Sequence, residues 1–85
     1  MDNDTKRDES RVNLFLGMKE WITPTGIEKG WKLIEESILT LMDLEGLGVD
    51  DILKEVGPLQ EELNYTDDDI RDLDRSIMDL LGGSH

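Results

Sequence analysis

Few side chains in this sequence could act as catalytic nucleophiles. The chain has no cysteine, and its single histidine is His85 at the C-terminal end. Apart from Ser84 beside that end, the serines are Ser10, Ser37 and Ser76. A catalytic serine needs a base that removes its proton and a third group that orients the base. No such groups accompany these serines in the sequence, so we expect a protein that is not an enzyme.

Carboxylates, which could bind a metal ion or transfer protons, are abundant by contrast. The run DDDIRDLD at residues 67–74 superficially resembles a calcium-binding loop. Such a loop requires glycine at its sixth position and glutamate at its twelfth, whereas counting from Asp67 gives Asp72 and Met78. Aspartates in the first turn of a helix, where they favour the helix dipole, explain the run better. We therefore expect neither a bound metal nor a cofactor.

Two other kinds of site also lack their sequence patterns. Gly46-Leu47-Gly48 is not followed by the residues of a phosphate-binding loop, and it is more typical of a helix stop. No basic patch with interleaved aromatic residues is present, which argues against direct binding of nucleic acid. No stretch approaches the roughly 18 apolar residues of a membrane span, and the first ten residues do not resemble a signal peptide. We expect a cytoplasmic protein without membrane contact.

The charge of the chain is strongly negative and unevenly distributed. The 85 residues carry a formal net charge of −12. Residues 1–32 contain six acidic and six basic residues, whereas residues 33–85 contain fifteen acidic and three basic residues. The second part should therefore repel nucleic acid and anionic membranes and attract basic surfaces.

The elements that would position any site are helices. Apolar residues recur at helical spacings over residues 10–22, 26–45, 50–64 and 67–81. This pattern predicts an all-α bundle of four or five short helices around one core. The third helix contains Gly57-Pro58, where we expect a kink or a break because proline lacks the amide hydrogen.

The ends of the chain contain little that could be buried. Residues 1–9 are polar and charged, which predicts a disordered tail. Residues 82–85 resemble a linker that runs into a truncated affinity tag. The expected organisation is therefore a single helical domain at residues 10–81.

Each predicted helix is preceded by a residue that can cap its first turn. The predicted caps are Ser10, Thr25, Asp50 and Thr66. Glu28 and Asp69 lie three residues after Thr25 and Thr66, so both could complete capping boxes.

The helix predicted at 26–45 has two apolar faces. Its core stripe consists of Ile27, Trp31, Ile34, Ile38, Leu41 and Met42. A thinner second line consists of Leu33, Ser37, Thr40 and Leu44. A helix with two such faces is either central in its bundle or in contact with a second chain. The second line is therefore a candidate oligomer face.

Trp21 and Trp31 are two of the four aromatic residues of the chain. Both are in phase with the predicted core, and we expect both to pack there. Tryptophan is also enriched at protein interfaces, and both residues lie in the neutral first part of the chain. A partner site around them is therefore the less favoured alternative.

Seven acidic residues lie on or beside the predicted solvent faces of the last two helices. They are Glu61, Glu62, Asp67, Asp68, Asp69, Asp72 and Asp79. Solubility alone could account for them, as could the general surface acidity of a salt-loving host. The functional explanation is a face that imitates a phosphate backbone and occupies a basic groove. Charge by itself does not separate these explanations.

The leading hypothesis from the sequence is a non-enzymatic protein-binding module. Its acidic helical face would dock on a basic partner, such as an enzyme that handles nucleic acid, and inhibit or regulate it. The alternative is a homo-oligomeric structural or adaptor protein, which would pair through the candidate oligomer face or through the first helix.

Overall fold

The computed structural model describes residues 2–82 and confirms a small all-α bundle. Within this range there are four helices: α1 at Asp2–Trp21, α2 at Ile27–Glu45, α3 at Val49–Glu62 and α4 at Asp67–Gly82. The predicted segment 82–85 falls largely outside the described residues. The predicted elements are therefore present, and their ends differ from the sequence pattern in ways that have physical causes.

The first helix begins at Asp2, and the prediction of a disordered tail is wrong for residues 2–9. This part of α1 is held by ion pairs instead of apolar contacts. Arg7 pairs with Asp4 one turn earlier in the helix, and its Nε lies 3.7 Å from Glu45 at the end of α2. Ser10, predicted as the helix cap, is instead a buried residue in the middle of α1.

Helices α1 and α2 form an antiparallel hairpin in which the two main chains touch. A Cβ atom on Gly30 would lie 2.5 Å from both the Gly17 carbonyl oxygen and the Trp21 amide nitrogen. A Cβ atom on Gly17 would lie 2.9 Å from the Gly30 carbonyl oxygen. The hairpin therefore requires glycine at both positions. Ser10 and Ser37, each seven residues from one of these glycines, are the buried small polar residues of the same helices.

The ends of α2 are formed by glycines. Gly26 precedes the helix without a side-chain cap, so the predicted Thr25–Glu28 capping box is wrong. Ile27 is consequently at the first helical position, where it is 53% exposed, so its predicted place in the core stripe is wrong. Gly46 ends the helix as predicted. Its left-handed φ of 67° lets its amide donate a hydrogen bond to the Met42 carbonyl, with an N···O distance of 2.8 Å.

Helix α3 is a single helix that includes Pro58. The predicted break at Gly57-Pro58 therefore does not divide it. Ile52 and Val56 before the proline are buried, and Leu59 after it packs against the core. The apolar residues before and after Pro58 lie on the same face of the helix. Their packing offsets the loss of the hydrogen bond that proline cannot make.

The beginnings of α3 and α4 differ in how well the sequence predicted them. Gly48, and not Asp50, precedes α3, and the Gly48 amide donates a hydrogen bond to the Asp51 carboxylate at 3.2 Å. At α4 the predicted capping box is present. The Asp69 amide donates to the Thr66 hydroxyl at 3.1 Å, and the Thr66 amide donates to the Asp69 carboxylate at 3.3 Å.

The core receives large side chains from all four helices. The fully buried ones are Leu14 and Met18 of α1, Ile34, Ile38 and Leu41 of α2, Ile52 and Val56 of α3, and Leu73 and Ile77 of α4. Tyr65, in the loop between α3 and α4, completes the cluster. The charged faces of the helices lie on the opposite side from this core and face the solvent.

Candidate functional site

The predicted acidic face is a set of outward carboxylates at the end of α3 and along α4. Of its seven residues, Glu61, Glu62, Asp67, Asp68, Asp72 and Asp79 are exposed. Asp69 is the exception, because it is partly buried and its carboxylate is engaged in the capping box of α4. Six residues of the predicted set are therefore available to a partner.

Within this set, Asp68, Asp72 and Asp79 share the outward side of α4. At about 100° per residue they fall within roughly 40° of one another on the helix wheel. The Arg71 guanidinium donates a hydrogen bond to the Asp68 carboxylate at 3.3 Å, which partly neutralises that end of the row. Asp72 and Asp79 take no part in the ion pairs found within residues 2–82. They are the free carboxylates of this row.

Some of these acids lie where helix electrostatics disfavour them. Helix α3 ends on Glu61 and Glu62, and Asp79 is in the last turn of α4, with no basic residue in the last turn of either helix. The C-terminal end of a helix carries partial negative charge, so acids are unfavourable there by about 0.3–1 kcal/mol each. Local helix stability therefore does not explain their positions.

A second cluster, which the sequence analysis did not identify, joins three helices around Arg11. Its Nη1 donates to the Glu45 carboxylate at 2.9 Å, and its Nη2 donates to the Glu55 carboxylate at 2.9 Å. Two further hydrogen bonds of 3.2 Å make both contacts bidentate. The cluster connects the first part of the chain to the acidic second part, so Glu45 and Glu55 are not free for a partner.

The pKa values at this cluster shift as the contacts require. The hydrogen bonds that Arg11 donates to Glu55 and Glu45 hold the pKa of its guanidinium well above the ordinary value. The hydrogen bond from Arg11 lowers the pKa of the Glu45 carboxyl. One signal for this cluster was present in the sequence: α2 ends on an acid without a basic residue in its own last turn. A cation from elsewhere in the chain is then favourable at that helix end.

Tyr65 forms a third, buried contact that the sequence analysis did not identify. Its hydroxyl donates a hydrogen bond of 2.6 Å to the carbonyl oxygen of Met18, in the last turn of α1. Carbonyls in the last turn of a helix lack partners within the helix, so Tyr65 closes this end of α1. Burial, followed by the charge of Asp69, raises the pKa of the Tyr65 hydroxyl above its ordinary value.

Both tryptophans belong to the periphery of the core. The Trp21 ring stacks on the Tyr65 ring with a centroid distance of 5.9 Å and an interplanar angle of 13°. Trp31 is partly buried and packs against the same core cluster. Both rings therefore pack at the edge of the core, and a partner site around their exposed parts stays a prediction.

The predicted oligomer face of α2 lies largely against α1. Ser37, at its centre, is only 3% exposed, and a Cβ atom on Gly17 of α1 would lie 2.8 Å from the Leu33 Cβ. Thr40 and Leu44 are partly exposed at the other end of the line. The prediction of a free face at Leu33, Ser37, Thr40 and Leu44 is therefore wrong at Ser37, because the α1–α2 hairpin covers it.

The described residues contain no group of three or more His, Asp or Glu side chains that could jointly hold a metal ion. No helix within residues 2–82 is both long enough and apolar enough to cross a membrane. The outward carboxylates of α3 and α4 can attract basic surfaces electrostatically.

Comparison with protein-family models, with curated proteins and with solved structures found no significant match to this chain.

Proposed function

We propose that this chain is a non-enzymatic protein-binding module that docks its acidic helical face on a basic protein surface. The face consists of the exposed acids at the end of α3 and along α4, and it includes the unpaired carboxylates of Asp72 and Asp79 on the outward side of α4. A partner that handles nucleic acid has a basic groove of suitable charge, and occupation of that groove would inhibit or regulate it.

The observation that supports this proposal is the placement of acids against the local electrostatic preference of their helices. Glu61, Glu62 and Asp79 lie at helix C-terminal ends that lack basic residues. Residues that only keep a protein soluble could occupy neutral positions on the same helices at no cost. A binding role gives a reason for a destabilising arrangement, since functional sites are where sequences depart from local preferences.

A matched pair of double variants tests the proposal. In the first, Asp72→Lys and Asp79→Lys reverse two free carboxylates of α4. In the control, Glu36→Lys and Asp43→Lys reverse two exposed carboxylates of α2 with the same spacing of seven residues. Both variants change the net charge equally, so a difference between them reports the position of the charge and not its amount.

The measurement is affinity capture from a lysate of the natural host, with each variant immobilised in turn. We expect a nucleic-acid-binding protein to be captured by the wild type and by the α2 control, and to be lost with the α4 variant. The same protein should be released at about 0.5 M salt, where exposed charges are screened. Adding the wild-type chain to the purified partner should displace bound nucleic acid.

Equal capture by both double variants would overturn the proposal, because binding would then not depend on the acidic face. Retention of the partner at high salt would have the same meaning, because apolar contacts would then dominate.

A further inference from the structure

Helix α1 has apolar residues on its outer side as well as on its inner side. Leu14 and Met18 point into the core, whereas Val12 is 56% exposed and Leu16 is 44% exposed. Val12 and Leu16 are one turn apart, so they form a continuous apolar strip on the side of α1 that faces away from α2. Neither residue belongs to the buried core.

The strip is part of a longer regular row, which we call the outer row of α1. It consists of Thr5, Glu9, Val12, Leu16 and Lys19, all exposed, at alternating spacings of four and three residues. Such alternation is the pattern by which one helix packs along another. The row places two apolar residues at its centre, with an acid on one side and a base on the other.

This order of residues fits a second copy of the same row in the antiparallel direction. If Val12 of one chain lies opposite the partner's Leu16, two-fold symmetry places the partner's Val12 opposite Leu16. The same register places Glu9 opposite the partner's Lys19 at both ends. The row is therefore complementary to itself in shape and in charge, as an interface with two-fold symmetry requires.

The surface next to Val12 can accept a side chain. An open depression is lined by Thr5, Asp8, Glu9, Val12 and Asn13. In the antiparallel register, the partner's Leu16 approaches α1 beside Val12, where this depression lies. A leucine there fits the packing of one helix's side chains into recesses of the other.

The distribution of charge favours α1 as the surface through which two copies can approach, because electrostatic repulsion is weakest there. The full chain has a net charge of −12, but residues 1–32 are neutral. Two copies facing each other through α3 or α4 would bring like charges together, at a cost. A pairing through α1 keeps the acidic parts of both copies on the outside.

We propose that two copies of the chain pair antiparallel through the outer rows of α1, with Val12 against the partner's Leu16 and Glu9 against the partner's Lys19. The apolar contact is small, so the dimer belongs to the weak class with less than about 1,200 Å² of buried surface. It should form in the upper micromolar range.

Sedimentation velocity from about 10 µM to about 1 mM tests the pairing. We expect the wild type to shift from monomer to dimer over this range, and Leu16→Glu to weaken the dimer at least tenfold. The matched control is Leu39→Glu, because Leu39 is 47% exposed, close to the 44% of Leu16, but lies on α2. Far-ultraviolet circular dichroism checks that each variant is folded. A monomeric wild type throughout, or equal loss of dimer in both variants, would overturn the proposal.

A charge exchange distinguishes self-pairing from docking of another helix. Glu9→Lys alone and Lys19→Glu alone each place like charges opposite one another and should weaken the dimer. The double variant restores opposite charges at both ends and should restore the wild-type dissociation constant. Absence of this rescue would exclude the antiparallel register. None of these variants touches Asp72 or Asp79, so the result is independent of the proposed acidic binding face.

Discussion

The two helical hairpins of this molecule are built on different principles. In α1–α2 the main chains touch at Gly17 and Gly30, where neither position has room for a Cβ atom. In α3–α4 the helices are held apart by large side chains, and the buried Gln60 amide donates a hydrogen bond to Asp74 at 3.1 Å. The first hairpin therefore depends on the absence of side chains, and the second on their presence.

The close contact between main chains and the unpaired negative charges therefore lie in different hairpins. The close hairpin belongs mainly to the neutral first part, and the widely spaced hairpin carries the free carboxylates. A surface charge on α3 or α4 can change without altering a contact between main chains. The second hairpin can therefore carry an extreme charge without disturbing the first.

The largest expected effect is at the close hairpin. Gly30→Val should destabilise the fold by at least about 3 kcal/mol, the upper end for overpacking, because main-chain atoms of α1 have to move. Urea unfolding followed by circular dichroism measures this loss. Gly48→Ala is the control, since no atom lies within 4 Å of the added Cβ, and it should cost at most about 1 kcal/mol, the loss expected when alanine replaces glycine directly before a helix. Similar losses in both variants would contradict the close approach of the two main chains.

The next effect concerns the contact between the hairpins. Tyr65→Phe removes the hydroxyl that reaches the Met18 carbonyl and should cost about 1–2 kcal/mol, because a buried acceptor loses its partner. The stacked Trp21 ring remains in place, so its fluorescence in the folded state should change little. A neutral effect on the unfolding midpoint would show that the hydrogen bond does not contribute to stability.

A smaller effect is expected at the start of α4. Thr66→Ala should cost about 1 kcal/mol because the Asp69 amide loses its acceptor. Thr25→Ala is the matched control, since the structure has no side-chain cap at the start of α2. Thermal unfolding of the two variants should therefore differ by roughly 4–8 °C. Equal midpoints would argue against the capping box.

The smallest effect is at Arg11, and it should depend on pH. The pKa of Glu45 is lowered in the folded state, so its contribution is present above the ordinary value of 4.5 and is lost as pH falls through the lower folded-state value. Arg11→Met should therefore be less stable than the wild type at pH 6, by less than the Tyr65 variant. The difference should shrink as the pH falls towards 3. A constant difference would exclude this ion pair as its cause.

Local signals in the sequence predicted the parts of the fold that depend on neighbouring residues. The Thr66–Asp69 capping box and the stop at Gly46 depend on residues within a few positions, and both were predicted correctly. The start of α1 was not, because Arg7 near its beginning pairs with Glu45 and Arg11 one turn later bonds Glu45 and Glu55, which are 34 and 44 residues from Arg11.

The predicted cap at Thr25 was wrong for a different reason. The sequence pattern of a capping box was present, but another contact between neighbouring residues formed instead. The neighbouring Thr23 hydroxyl donates to the Glu20 carbonyl at 2.7 Å, and the turn that follows leaves Gly26 before α2. For the acidic face, the sequence predicted the exposure of six residues correctly, because charged side chains without a partner inside the fold remain in water. It did not reveal that Ser37 is covered, because that depends on how closely α1 approaches.

The contact between Gly17 and Gly30 also has a consequence for recognising related chains. In the antiparallel hairpin, Gly17 lies against Gly30 because neither position has room for a Cβ atom, and the buried Ser10 and Ser37 each lie seven residues from one of these glycines, so four small residues follow in a symmetric order. The resulting motif is Ser, six residues, Gly, twelve residues, Gly, six residues and Ser. A protein that shares this hairpin must keep the two glycines in this spacing, even where its surface charges and its core side chains have diverged beyond recognition.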